Sequence, residues 1–331
     1  MAINDFTPHL DAFDGITPFA GPVEKGFLVN FLGAKLDAGF RTMWGIDPEA
    51  VGGCHMETTL PAVGMGEGWF EDFNWVAAAR EARDSYVMMT LGACYGAQAV
   101  GSYLALQALN PMPATLVAVD GVPENIAWTR KHFLDNGIDP DGHWIVEAAM
   151  SDSNEPVIFP VGSPGSGAQN CVSTNSAGFR RQIGEAVIQA GRTDEVLRNL
   201  LQSNSTGIQI NLTPDTEYEF EAELRLVSAV TLGDLLGPFR RVDYIEADIQ
   251  QSEEIVFPPA MAALTRKVRR VHLGTHGLDA HRQMHALFAT HGWEILFSFE
   301  PNGSYETPFG TFELNDGVLT AVNPAVAYSD A

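Results

Sequence analysis

The chain has 331 residues, and its 19 Lys and Arg against 42 Asp and Glu give a formal net charge of −23. That balance argues against tight nucleic-acid binding, which needs clustered cations, and against adhesion to anionic membranes. The 45% hydrophobic content excludes wholesale disorder, and three scattered cysteines, Cys54, Cys94 and Cys171, rule out a disulfide framework and a CxxC zinc or redox site.

Residues 1–20 have no basic n-region or apolar h-region, and no stretch reaches 18 apolar residues. The expectation is a cytoplasmic protein without a transmembrane helix or a secretory signal. No internal repeat is seen. Residues 1–67, with scattered Gly and Pro, read as an N-terminal cap of short elements.

From Trp69 to Arg83 the spacing is helical, with Trp69, Phe73, Val76 and Ala77 on one face. This stripe reads as packing; as a lid it would bring Glu71 and Asp72 to a pocket. A regular alternation follows. Ser85–Leu91 predicts a buried strand, Gly92–Gly96 a glycine-bearing turn, and Ala97–Leu109 a helix stopped by Asn110-Pro111. Thr115–Asp120 predicts a second strand, Pro123–Asn136 a helix with Pro at its start and Gly137 after its end, and His143–Met150 a third strand. Alternation of this kind indicates a parallel sheet covered by helices on both faces.

Residues 153–222 break the rhythm and read as an insertion on the sheet, with a flexible GSPGSG loop at 162–167 and a partly helical Arg180–Asn204. The rhythm resumes with a strand at Leu226–Val230 and a short helix capped by Thr231. Next come a strand at Val242–Ile249 and a helix at Ser252–Leu264 that Pro258-Pro259 should kink or restart. Then come a strand at Val268–Leu273, a helix at Leu278–His291 and a strand at Trp293–Phe299. Phe309–Leu314 and Val318–Val322, joined through Asn315-Asp316-Gly317, read as a terminal hairpin.

Ligands of an open parallel sheet bind beyond the carboxyl ends of its strands. Leu91–Gly96, Asp120–Pro123 and Asp248–Gln251 therefore matter most. TLGACYG spaces its glycines as Gly92-x-x-x-Gly96, not as the GxGxxG of a dinucleotide site. Asp120 ends its strand where a carboxylate can accept from ribose hydroxyls. Asp248 ends an otherwise apolar strand, a place where ionised groups are rarely found without a task. Glu253 and Glu254 open the next helix, where negative charge suits the dipole.

An ordered set of motifs resembles the FkbM-type class I S-adenosylmethionine-dependent methyltransferases over about residues 68–325. It comprises TLGACYG (Thr90–Gly96), VAVDGVPENIAWTRKHFLDNGI (Val117–Ile138), EAAMSD (Glu147–Asp152), TLGDLL followed by VDYIEADIQQSE (Thr231–Glu253), VRRVHLGTH (Val268–His276) and LNDGVLTAVNP (Leu314–Pro324). GWFEDFNWVAAAREA (Gly68–Ala82) precedes them. The chain departs from the pattern at Thr90, where an acid is usual, at Cys94, at Gly233, and at Gln251-Ser252, where Gly-Ala is usual.

The resemblance implies a Rossmann-like, doubly wound, mostly parallel seven-stranded α/β sheet, with the methyltransferase domain spanning residues 68–331. It implies S-adenosylmethionine as cosubstrate. Gly92, Ala93, Cys94 and Gly96 would line its methionine and ribose portion, and Asp120 would hold the ribose hydroxyls. Gly121 and Val122 would flank the adenine, with Ala149, Met150 and Asp152 closing that side. Asp248 and Gln250 would face the reacting centre.

Transfer from a sulfonium is an in-line displacement in which the protein mainly supplies positioning, and an oxygen acceptor gains from a base. Asp248 and His276, in a GTHG turn, are the candidate catalytic residues. His281 and His285 share a helix face, but no third ligand accompanies them and no metal is expected. The expected acceptor is a small-molecule or sugar hydroxyl, with no nucleic-acid or membrane partner and with homo-oligomerisation open. The alternatives are an NAD(P)-dependent oxidoreductase, which lacks its GxGxxG here, and a catalytically silent binding protein, suggested by the departures at Thr90 and Gln251.

Overall fold

The computed structural model describes residues 3–63, 66–162, 177–212 and 220–326. The GSPGSG loop beyond Gly162, together with Cys171, lies outside them. Short elements come first: β1 (Ala20–Val23), β2 (Phe27–Val29), β3 (Lys35–Asp37) and β4 (Cys54–Glu57), in two antiparallel pairs, β1 with β4 and β2 with β3. A 3-10 turn at Ala38–Trp44 follows β3, capped by the Asp37 side chain on Gly39 N. This segment packs into the main core. Phe6 meets Trp69, Phe70 and Phe297, and Asn4 bonds the backbone at Leu296 and Ser298.

The alternating part of the chain follows. It begins with α1 (Glu67–Glu81), β5 (Tyr86–Leu91), α2 (Ala97–Leu109), β6 (Ala114–Asp120), α3 (Pro123–Asp135), β7 (Trp144–Glu147) and β8 (Ala149–Ser151). The region expected as an insertion holds β9 (Val157–Gly162), α4 (Ala177–Ala190), α5 (Thr193–Ser203), β10 (Ser205–Leu212) and β11 (Phe220–Val227). The chain then returns through β12 (Ala229–Thr231), α6 (Leu232–Leu236), β13 (Val242–Ala247), α7 (Glu253–Lys267), β14 (Val268–Thr275), α8 (Leu278–Thr290) and β15 (Glu294–Phe299). It ends with β16 (Gly303–Thr307), β17 (Gly310–Leu314) and β18 (Gly317–Val322).

Seven strands form the central sheet in the order β15-β18-β14-β13-β5-β6-β7, giving a Rossmann-like α/β fold. Neighbours pair in parallel except at β18, which runs antiparallel to both β14 and β15. Every residue of β5 and β13 is buried, as strands covered on both faces require. Alternate residues feed opposite cores: Met88 packs with α1 and α2 residues, Val87 and Met89 with α6 and α7 residues. No helix among the described residues is long and apolar enough to cross a membrane.

Four expectations are corrected. First, His143–Met150 is two strands. The β6 ladder ends at Ala148; the next N–H, of Ala149, donates to Ser228 O, and β8 leaves the sheet to pair in parallel with β12. Second, Leu226–Val230 divides for the same reason, its first part belonging to β11 in a three-stranded antiparallel sheet ordered β10-β11-β9. Third, the terminal hairpin does not form. β17 pairs with β16, while the fully buried β18 inserts between β14 and β15. An Asp-Gly turn between two apolar runs signals a hairpin locally, but burying all six residues of β18 required a place inside the sheet. Fourth, α7 runs as one helix through Pro258-Pro259. The prolines stand near its start, so only the acceptors at Glu254 and Ile255 lose an N–H partner.

The α1 stripe is wider than the periodicity predicts, because Trp75 and Phe70 are buried as well as Trp69 and Phe73. Gly101 of α2 admits the Trp75 ring: a Cβ there would lie 2.4 Å from it. Gly101→Ala should therefore lower stability by about 1–3 kcal/mol, an overpacking effect read from the denaturation midpoint. An unchanged midpoint would show that the α1–α2 contact yields freely.

Candidate functional site

The site grows from the carboxyl ends of β5, β6 and β13. Directly after β5, Gly92 takes φ +78°, and a Cβ built there would stand 2.1 Å from the Asp248 carbonyl oxygen. Only glycine permits that approach, which brings the β5 and β13 ends together and is completed by Asp248 N–H donating to Leu91 O at 3.1 Å. Gly92 and Ala93 both donate to Val119 O, tying the turn to β6. Gly96, at φ +80°, starts α2 against Thr129.

Asp120 is 3% exposed, and donors from both turns orient it. Its Oδ2 accepts from Cys94 N at 2.8 Å, and its Oδ1 from Val122 N at 2.8 Å and Asn125 Nδ2 at 3.2 Å. The carboxylate is thus oriented by the two turns it joins, and Cys94 adopts φ +49° to donate to it. Burial, with Asp120 and Asp248 nearby, pushes the Cys94 thiol well up, which disfavours the thiolate.

From β13, Glu246 stands opposite Thr90 in register and accepts the Thr90 hydroxyl at 2.8 Å. Beyond the strand, Gln250 and Gln251 are both left-handed, at φ +52° and +74°. This explains the glycine usual at the second of these positions: Gln251 bears a side chain where glycine is unstrained. Gln250 Nε2 bonds Asp248 Oδ1 at 3.0 Å and contacts His276 Nε2 at 2.7 Å. His276 Nε2 also lies 3.4 Å from Asp248 and 3.5 Å from Asp316, the latter supplied by the turn before β18.

These residues enclose a cleft of two adjoining compartments. One, of about 180 Å³, is lined by Glu71, Gly92, Ala93, Cys94, Tyr95, Ala97, Gln98, Asp120, Glu246, Asp248 and Gln250. The other, of about 40 Å³, is mainly apolar, with Val119, Gly121, Ala148, Ala149, Met150, Phe159 and Ile249 beside Ser252 and the shared Gly92, Asp120, Asp248 and Gln250. Phe159 comes from β9 and closes the apolar end.

Every charged lining residue is a carboxylate, and burial governs the group. Burial, then repulsion from Asp248, carries Glu71 up to about 7 against its hydrogen bond to Gln98. Burial, then Glu71, carries Asp72 to about 8. Glu67 and Glu246 are held well above the usual range, first by burial and then by neighbouring carboxylates. Burial would lower His276, but Asp248, Asp316 and Glu253 outweigh it and raise it.

Of the residues singled out in the sequence, Gly92, Ala93, Cys94, Asp120, Gly121, Ala149, Met150, Asp248 and Gln250 line the cleft, and His276 abuts two of them. Gly96 and Val122 lie behind it, and Asp152 is exposed outside it because β8 turns away from the sheet. Glu246, Tyr95, Gln98, Phe159 and Asp316 were not signalled. For Glu246 a signal existed: it alternates with Asp248 along β13. His281 has both ring nitrogens engaged, by Thr275 and Ser298. Among the described residues no group of three or more His, Cys, Asp or Glu is placed to hold a metal ion.

No family model and no curated protein matches the chain. Solved structures do. Precorrin-6y C5,15-methyltransferase from Geobacter metallireducens GS-15 is 10% identical, with a TM-score of 0.37, over 80% of this chain and 94% of that one. A methyltransferase FkbM from Methylobacillus flagellatus KT is 11% identical, with a TM-score of 0.36, over 76% and 53%. Aeropyrum pernix fibrillarin, solved with natively bound S-adenosyl-L-methionine, is 9% identical, with a TM-score of 0.32, over 75% and 76%. Similarities of this size leave the reading of the cleft to its own geometry.

Gly92→Ala should destabilise the chain by about 2–5 kcal/mol, combining a left-handed residue with a backbone clash, as read by chemical denaturation; a near-neutral change would mean that the strand ends separate easily. The raised carboxyls and His276 hold more protons folded than unfolded, so stability should fall as pH rises from 6.5 to about 8. Asp72→Asn should flatten that slope by up to about 1.4 kcal/mol per pH unit. A slope unchanged in the variant would contradict the assignment.

Proposed function

We propose that this chain is an S-adenosylmethionine-dependent methyltransferase acting on a hydroxyl of a small molecule or glycan. One observation carries the reading: a cleft at the strand ends, acidic in one compartment and apolar in the other, whose charged lining residues among those described are all carboxylates. S-adenosylmethionine, when bound, supplies a methyl group already activated on a cationic sulfur. A cationic sulfur and an ammonium suit a compartment lined by Glu71, Asp120, Glu246 and Asp248, and an adenine ring suits one lined by Phe159, Met150 and Ile249. The dinucleotide alternative is disfavoured on the same ground. A pyrophosphate would face those four carboxylates, more negative charge than the one neighbouring guanidinium, Arg41, can offset.

The residues divide the work. Gly92 lets the β5 and β13 ends close on each other beneath the cleft. Asp120, already oriented by three donors, is set to accept from ribose hydroxyls without reorganising. Asp248 lines both compartments and is the group positioned to take the acceptor's proton. His276 touches Gln250 and lies 3.4 Å from Asp248, and it is a positioning residue. The silent-protein alternative differs only in turnover.

Calorimetric titration with S-adenosylhomocysteine and with NADH tests the reading: heat with the first and none with the second is expected, and the converse overturns it. Asp120→Ala should weaken S-adenosylhomocysteine by about 1.5–3 kcal/mol; unchanged affinity would remove Asp120 from the ribose.

A further inference from the structure

The N-terminal segment, outside the stretch that resembles a known family, brings a cation to the acidic compartment. Asp37 caps the Ala38–Trp44 turn, and its N–H bonds His132 Nε2, fixing the turn to α3. Phe40, 1% exposed, packs against Tyr95, Trp128 and His132. The next residue, Arg41, thereby stands beside Tyr95, a lining residue of the acidic compartment. Its Nη2 donates to Tyr95 Oη at 2.6 Å, and its guanidinium lies 5.4 Å from the Tyr95 ring centre and 5.2 Å from that of Phe40. Tyr95 lines the acidic compartment, and the Arg41 charge also reaches Glu71 and Cys94 there.

A ligand with an amino-acid end meets a conflict in this compartment. Its ammonium is welcome, but its carboxylate faces Glu71, Glu246 and Asp248. A guanidinium resolves the conflict, because its planar fork matches a carboxylate bidentately. The tyrosine bond and the two ring contacts hold that fork before a ligand arrives. We infer that Arg41 anchors the α-carboxylate at the amino-acid end of the cosubstrate, a specificity-determining contact delivered by the N-terminal segment. The inference rests on the S-adenosylmethionine reading above. It gives that end of the ligand a direction: amino acid toward Tyr95 and Glu71, adenosine toward Phe159.

The test is a ligand-by-variant comparison on the full chain. S-adenosylmethionine and its decarboxylated form, which keeps the sulfonium and the amine, are titrated into wild type, Arg41→Met, Arg41→Lys and Tyr95→Phe, with folding checked by thermal melting. Wild type should prefer the carboxylated ligand. Arg41→Met should lose about 10–100-fold for that ligand, the range of a charge-assisted pair, and should leave the decarboxylated one unchanged. Arg41→Lys should recover part of the loss, and Tyr95→Phe, which keeps the ring but frees the fork, should show a smaller loss confined to the carboxylated ligand. Equal weakening of both ligands would make Arg41 merely structural and overturn the inference, as would no weakening of either. Should Arg41→Met fail to fold, Arg41→Lys and Tyr95→Phe decide it in the same way. Wild type binding neither ligand would overturn the S-adenosylmethionine reading and the inference with it, an outcome distinct from the others.

Discussion

At Gly92 a hydrogen atom occupies the place where a Cβ would stand 2.1 Å from the Asp248 carbonyl. The rest of the cleft depends on that approach. It lets β5 and β13 converge at their carboxyl ends, which sets Glu246 against Thr90 and brings Asp248 over the floor. On the other side the same turn donates twice to Val119 and hands the Cys94 N–H to Asp120. A side chain at one position would thus disturb three strand ends.

The second determinant is charge. Carboxylates crowd the acidic compartment, and burial carries Glu71 up to about 7 and holds Glu246 well above the usual range. A cationic ligand entering such a site meets groups that gain stability by ionising. Thr90 fits this arrangement. The resembling family has an acid there; this chain has a hydroxyl donating to an acid on the adjacent strand, Glu246. Read alone, Thr90 looks like a loss. Read with its register partner, it leaves a carboxylate in the same part of the cleft.

Much of the fold was legible because it rests on local rules. The β5-turn-α2-β6-α3 run follows from apolar runs, a proline at a helix start and glycine stops. Failures came where tertiary burial overrode a local signal. Asn315-Asp316-Gly317 looks like a hairpin turn, yet β18 is claimed by the central sheet. Ala148 carries no turn signal, yet β7 ends there because the residues that follow, from Ala149, pair with β12 instead. In the cleft, residues on the motif strands could be named from sequence. Phe159 and Asp316 could not, since each arrives from a strand or turn whose placement depends on packing over long sequence separations. Gln251 runs the other way: its departure from glycine was visible at once, and its left-handed backbone gives the physical reason that glycine is usual there.

The central claim is that one cleft, acidic at the Glu71 end and apolar at the Phe159 end, takes S-adenosylmethionine in a single orientation. Crystals grown with S-adenosylhomocysteine test it most directly. The account predicts the ribose at Asp120, the adenine between Met150 and Phe159, and the amino-acid end beside Tyr95 and Glu71. Ligand density elsewhere on the molecule, or in the cleft with its ends reversed, would contradict it.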